Sequence, residues 1–128
     1  MPISDPLVQH VLHQAMRRYE SDCYLALLRL PYAKTLWEVN RAAQVHLPGI
    51  LRGLHWPGQG VKQRLAHAAE RRMSELLDAQ LEKAAAIEDP KARKEYLGRL
   101  RMTEWDALRG DYAMLYRKAD VEAQKLLA

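Results

Sequence analysis

Residues 47–60 read LPGILRGLHWPGQG, and this segment holds four of the six glycines and two of the six prolines of the chain. Glycine and proline at this density end helices and mark a loop. On both sides of the segment, apolar residues recur in steps of three and four, which is the spacing of one face of an α-helix. We therefore predict an all-α protein: an antiparallel bundle of four to five helices with one Pro/Gly-rich loop, forming a single domain over residues 1–128.

Capping signals locate the predicted helices. An aspartate followed by a proline suits the N-cap and the first helical position, and this pair occurs at Asp5 and at Asp89. The first helix is expected to end before the next proline, because a residue before proline is disfavoured in a helix. A second helix is predicted from Lys34 or Thr35 up to the loop, and a third follows the loop. The last helical region is either one helix or breaks near Thr103, which would then act as a cap.

The bulk composition is that of an ordinary globular protein. Of the 128 residues, 48% are hydrophobic and 28% are charged, which argues against disorder. Cys23 is the only cysteine, so no disulfide can form within the chain, and a reducing compartment is favoured. The first residues carry no signal-peptide pattern, and no apolar run approaches the ~18 residues of a membrane span. We therefore expect a cytoplasmic protein with no membrane partner.

Charge is distributed unevenly, although the net charge is only +4. Residues 34–72 carry seven basic and two acidic residues, residues 91–101 carry five and one, and the segment between them is acidic. Basic side chains with an interleaved aromatic are typical of surfaces that bind the phosphate backbone of RNA or DNA. For the second block, an ordinary solvated helix start is the alternative. The two blocks supply the candidate phosphate-binding residues Lys62, Arg64, Arg71, Lys91, Arg93, Lys94, Tyr96 and Arg99.

The loop offers a candidate anion site. Gly53 and Gly58 have the spacing of the two glycines in a phosphate-binding P-loop. That motif requires lysine and then serine or threonine after the second glycine, and Gln59 with Gly60 does not supply them, so we exclude a nucleotide hydrolase. Free backbone N–H groups at the start of the third helix still favour an anion, either a nucleic-acid phosphate or a carboxylate on an acidic protein surface.

Trp56 has two interpretations. With Arg52 and His55 nearby, the indole can serve as an exposed anchor for a partner, because Trp and Arg are enriched at binding hot spots. Alternatively, the ring packs under the loop as a lid on the core. The flanking glycines and the polar neighbours favour the exposed anchor.

No pattern of catalytic or metal-binding residues is recognisable. His10 and His13 have a spacing that suits two ligands of one metal ion, but no third ligand accompanies them and Arg17 would repel a cation. Cys23 falls on an apolar helix stripe, where a free cysteine usually behaves as a small hydrophobe. We expect no enzymatic activity, no cofactor and no metal site.

The sequence therefore predicts a small non-enzymatic helical binding protein. One hypothesis is a subunit or accessory factor of a nucleoprotein assembly that contacts the phosphate backbone. The alternative is a protein–protein adaptor or inhibitor that acts through the Trp56 loop or an exposed helix face, and homo-oligomers are compatible with both. A contiguous basic face would favour nucleic acid, whereas dispersed charge with an exposed apolar patch would favour a protein partner.

Overall fold

The computed structural model describes residues 5–54, 56 and 60–128 of the chain. These residues form five α-helices and no strand, which confirms the predicted all-α bundle. The helices are α1 Pro6–Arg29, α2 Leu36–Ala43, α3 Gly60–Ala85, α4 Pro90–Met102 and α5 Ala113–Leu127. Short 3₁₀ helices lie at Leu30–Tyr32, Gly49–Leu51 and Glu104–Leu108.

Side-chain caps begin three helices where the sequence predicted them. Asp5 accepts a hydrogen bond from the backbone N–H of Leu7 at 2.9 Å and begins α1. Thr35 accepts one from the N–H of Glu38 at 3.1 Å and begins α2. Asp89 accepts from two N–H groups in the first turn of α4, at 3.4 and 3.3 Å. Each such cap stabilises its helix by about 1 kcal/mol.

The chain breaks after α4 and does not continue as one helix. The expected cap by Thr103 is wrong, because its hydroxyl instead donates to the carbonyl of Arg99 at 2.6 Å, in the last turn of α4. Gly110, which the apolar pattern places inside a helix, adopts a φ of +89° in the turn before α5. Glycine tolerates this conformation far better than residues with a Cβ atom. The break lets α5 return along the bundle.

The last helices run in alternating directions. Arg93, in the first turn of α4, donates to the carbonyl of Leu126 at the end of α5. Arg101, near the end of α4, pairs with Asp120. α4 and α5 are therefore antiparallel. α3 is the central helix, because it packs against each of the other four.

The core follows the stripe of α3. Its buried residues are Val61, Leu65, Ala69, Met73, Leu77 and Ala84. Leu77 is fully buried, whereas its neighbour Leu76 is only half-buried. Trp105 is the largest fully buried side chain, and its indole N–H donates to Gln80 of α3 at 2.9 Å. None of the described helices has both the length and the apolar character needed to cross a membrane.

Candidate interaction surfaces

Trp56 is buried, with only 5% of its surface exposed. Its ring packs edge-on against Tyr19 of α1, with the ring centroids 6.1 Å apart and the planes at 78°. The indole nitrogen is also buried and has no hydrogen-bond partner among the described residues. The exposed-anchor interpretation is therefore wrong. Burial of the large ring against α1 outweighs the polar character of the loop, and Trp56 acts as a lid on the core.

Tyr19 and Cys23 form a buried pair on α1 beside this lid. Burial raises the pKa of Tyr19 to about 12, with a smaller contribution from the neighbouring Cys23. Burial also raises the pKa of the Cys23 thiol. A thiol with a raised pKa holds little of the reactive thiolate, so Cys23 serves as a packing residue.

The other loop candidates divide into exposed and undescribed residues. Arg52 is exposed just after the Gly49–Leu51 3₁₀ helix. His55 lies outside the described residues, and so do residues 57–59, which include Gly58 and Gln59. The anion site at the start of α3 thus stays a prediction.

Arg93 is occupied within the protein, which corrects its assignment as a phosphate contact. Its Nε donates to the carbonyl of Ile87 at 3.0 Å and its Nη1 to that of Leu126 at 3.1 Å. Its Nη2 donates to the carbonyl of Ala85 at 3.4 Å. These carbonyls lie at or just beyond the C-terminal ends of α3 and α5, where backbone acceptors lack a partner within the helix. The guanidinium therefore joins two helix ends.

Arg72 has a similar structural role, which the sequence analysis missed. Its guanidinium donates twice to the carbonyl of Ala33, at 2.7 and 3.2 Å, and joins α3 to the segment after α1. It also pairs with Glu75 at 3.1 Å. A separation of four residues would also allow Arg71 to pair with Glu75, but the structure pairs Glu75 with Arg72.

The basic candidates of α3 are exposed, and acidic residues surround one of them. Lys62, Arg64 and Arg71 are exposed on its first half. Arg71 lines a shallow groove of about 430 Å³ between α3 and α5. This groove mixes basic with acidic side chains, namely His67, Glu70, Arg71, Glu75 and Asp78. The groove around Arg71 is therefore of mixed charge.

The basic candidates of α4 lie at the other end of α3. Lys91, Lys94 and Arg99 are exposed, whereas Tyr96 is half-buried and packs against the core. α4 begins beside the C-terminal end of α3. With a rise of ~1.5 Å per helical residue along α3, Lys91 therefore lies roughly 30 Å from Lys62 along the bundle. Beyond Arg71, the exposed side chains of α3 include Glu75, Asp78 and Glu82, so acidic groups interrupt the basic ones along this helix.

The structure supplies no metal centre within its described parts. No group of three or more His, Cys, Asp or Glu side chains in those parts could hold a metal ion. His10 and His13 are both exposed on α1.

The first helix carries an exposed row of apolar side chains. Leu7 is 77% exposed, Leu28 is 69% exposed, and Tyr32, just beyond α1, is 81% exposed. Val11 and Leu25 are also exposed. The side chains of α1 that do enter the core are Leu12, Tyr19, Cys23 and Ala26. At about 100° per residue, the exposed row and the buried residues lie on opposite sides of the helix.

Fold and surfaces together describe a small helical bundle with an apolar outer helix face. No protein-family model, curated protein or solved structure matches this chain. Function is therefore inferred from the surfaces themselves.

Proposed function

We propose that this chain is a non-enzymatic protein-binding module that acts through the exposed apolar row of α1. The observation that carries the proposal is the exposure of Leu7, Leu28 and Tyr32 on one helix and its extension. Exposed apolar side chains that cluster, as these do at the two ends of α1, mark interaction sites. Full burial of one such side chain stabilises an interface by ~1.5–3 kcal/mol. Burial of the five apolar side chains of the row therefore favours association.

The charge distribution supports a protein partner over nucleic acid. Arg93 is held by backbone carbonyls, and the groove beside Arg71 contains acidic side chains. Strong binding to a phosphate backbone needs several basic side chains along one continuous track, because each contact neutralises only one phosphate. The basic blocks are instead interrupted and far apart.

A subunit of a nucleoprotein assembly is the second candidate. Lys62 and Arg64 are exposed in the first turns of α3 and take part in no ion pair within the described part of the chain. They are free to approach a phosphate beside the start of a long helix.

Site-specific photo-crosslinking tests the proposal. A photoreactive amino acid replaces Leu28 in the row or, as the matched control, Met114 on α5, which is 81% exposed. We expect irradiation in the native cell to give an adduct with one defined protein from position 28 but not from position 114. Leu25→Glu should abolish that adduct.

Absence of an adduct specific to position 28 would contradict the proposal. Oligonucleotide binding in low salt that is lost in Arg64→Glu would then favour the nucleoprotein candidate.

A further inference from the structure

We infer that α1 binds a second copy of this chain, with the two α1 helices packed antiparallel. This inference rests on the proposed function, which assigns the exposed row of α1 to protein binding, and it names the partner.

The exposed side of α1 has the repeat of a coiled-coil seam. Residues 7, 11, 14, 18, 21, 25, 28 and 32 follow alternating steps of four and three, and all of them are exposed. This spacing places the eight positions along one side of the helix, and five of them are apolar, two at the start and three at the end, where a second helix could bury them. We call these positions the outer seam: Leu7, Val11, Gln14, Arg18, Ser21, Leu25, Leu28 and Tyr32.

When one helix is reversed, the outer seam pairs apolar with apolar residues at its ends, and Gln14 faces Leu25 of the second copy nearer the middle. Large apolar residues occupy both ends and polar residues occupy the middle. An antiparallel pair centred between Tyr19 and Glu20 places Leu7 against Tyr32 of the second copy. By symmetry the same contact forms again at the other end of the pair.

The middle of the outer seam selects the antiparallel over the parallel arrangement. In a parallel pair each residue meets its own counterpart, so Arg18 would face Arg18, and like charges oppose association. In the antiparallel pair Arg18 faces Ser21 of the second copy. Asp22, which is next to Ser21, is exposed and takes part in no ion pair among the described residues. Arg18 and Asp22 of opposite copies are therefore complementary in charge.

A second complementary contact lies beside the outer seam. Arg17 and Tyr24 are both exposed on α1. The same antiparallel register brings Arg17 of one copy next to Tyr24 of the other, where a guanidinium can stack on an aromatic ring. An unrelated helix would have to reproduce this order of apolar ends and charged centre by coincidence, whereas a second copy supplies it by symmetry.

Sedimentation equilibrium of the full chain tests the dimer. The apparent mass should rise with concentration from 14.8 kDa towards twice that value. Leu28→Glu should keep the chain monomeric at every concentration, and Met114→Glu, the matched control, should behave as the unmodified chain. Both side chains are exposed, at 69% and 81%, so neither change should alter folding, and circular dichroism checks this.

Disulfide trapping tests the orientation, in a Cys23→Ala background. An oxidised mixture of Val11→Cys and Leu28→Cys chains should give a mixed disulfide, while each variant alone should not cross-link to itself. Self-linking of each variant alone would indicate a parallel pair and overturn the inference.

A monomer at all concentrations would also overturn it. If position 28 then still gave an adduct with a different protein, the proposed binding function would stand without the dimer. If it gave none, both would fail.

Discussion

Two arginines, Arg72 and Arg93, join segments that are distant along the chain. Each guanidinium donates to backbone carbonyls at or beyond the end of another helix. A guanidinium presents several N–H donors in a fixed plane, which suits a cluster of carbonyls better than a lysine does. Arg93 looks in the sequence like one of several surface cations beside Lys91 and Lys94. Two of its acceptors, Ala85 and Ile87, lie within eight residues along the chain, whereas the third, Leu126, comes into reach only when α5 packs beside α4, so no local pattern could predict the full role.

Replacement of Arg93 should destabilise the protein. We expect Arg93→Lys to lower the free energy of unfolding by about 2 kcal/mol, since a hydrogen bond from a charged donor is worth about 1.5–3 kcal/mol and one ammonium cannot reach all three carbonyls. Lys94→Met, at an exposed neighbouring position, is the control and should change the value by less than about 0.5 kcal/mol. Urea unfolding followed by circular dichroism gives both values. Equal stability of Arg93→Lys and the unmodified chain would show that Arg93 is a free surface cation.

Trp56 should contribute to stability in the same way. Trp56→Ala removes a ring that packs on Tyr19, and truncation of a buried aromatic costs about 3–5 kcal/mol. Met114→Ala, at an exposed position, should cost less than about 0.5 kcal/mol. Chemical denaturation of the two variants under one set of conditions makes the comparison. A Trp56→Ala chain as stable as Met114→Ala would restore the anchor interpretation of the loop.

At the scale of the helices, boundaries could be predicted and faces could not. Asp5, Thr35 and Asp89 act on the backbone within three residues, so the sequence contains what is needed to place the starts of α1, α2 and α4. Which side of α1 is buried depends on the elements that pack against it. Apolar residues lie on both sides of this helix, and periodicity alone could not separate Leu12, which is buried, from Val11, which is exposed.

The two glycines of the C-terminal region should respond oppositely to alanine. Gly98 lies inside α4 and Gly110 lies in a turn with a φ of +89°, and at neither would an added Cβ meet another atom within 4 Å. Gly98→Ala should therefore raise the free energy of unfolding by about 0.5–1 kcal/mol through the entropy of the unfolded chain. Gly110→Ala should lower it by about 1–2 kcal/mol, because the left-handed conformation strains an L-residue.

Thermal and urea unfolding of both glycine variants checks this pair. An added methyl group would be uncrowded at both positions. A difference in stability between the two variants therefore reports the backbone conformation and not a steric clash. A stabilising Gly110→Ala change would contradict the left-handed turn before α5.

At the scale of the whole molecule, the candidate surfaces depend on how the helices are arranged. The sequence predicts two basic blocks, and the bundle places Lys62, Arg64 and Arg71 on the first half of α3 and begins the second block beside its C-terminal end. The sequence also favours an exposed Trp56, which the bundle covers with α1. The apolar outer side of α1 becomes visible only once the opposite side is known to hold the core. Surface chemistry could therefore be predicted residue by residue, whereas its grouping into faces required the tertiary structure.

The two candidate functions predict different dependences of binding affinity on salt concentration. Phosphate binding through Lys62, Arg64 and Arg71 would neutralise about three phosphates, so affinity for duplex DNA should fall roughly 40-fold between about 50 and 200 mM salt. Association through the outer seam buries mainly apolar side chains, and we expect it to change by less than about threefold over that range. Oligonucleotide titration and sedimentation equilibrium measure the two affinities in matched buffers. The double variant Arg64→Glu, Arg71→Glu should remove any oligonucleotide binding and leave self-association intact, because neither residue lies on α1. Self-association that fell steeply with salt, or that failed in this variant, would show that charged groups and not the apolar seam hold the copies together.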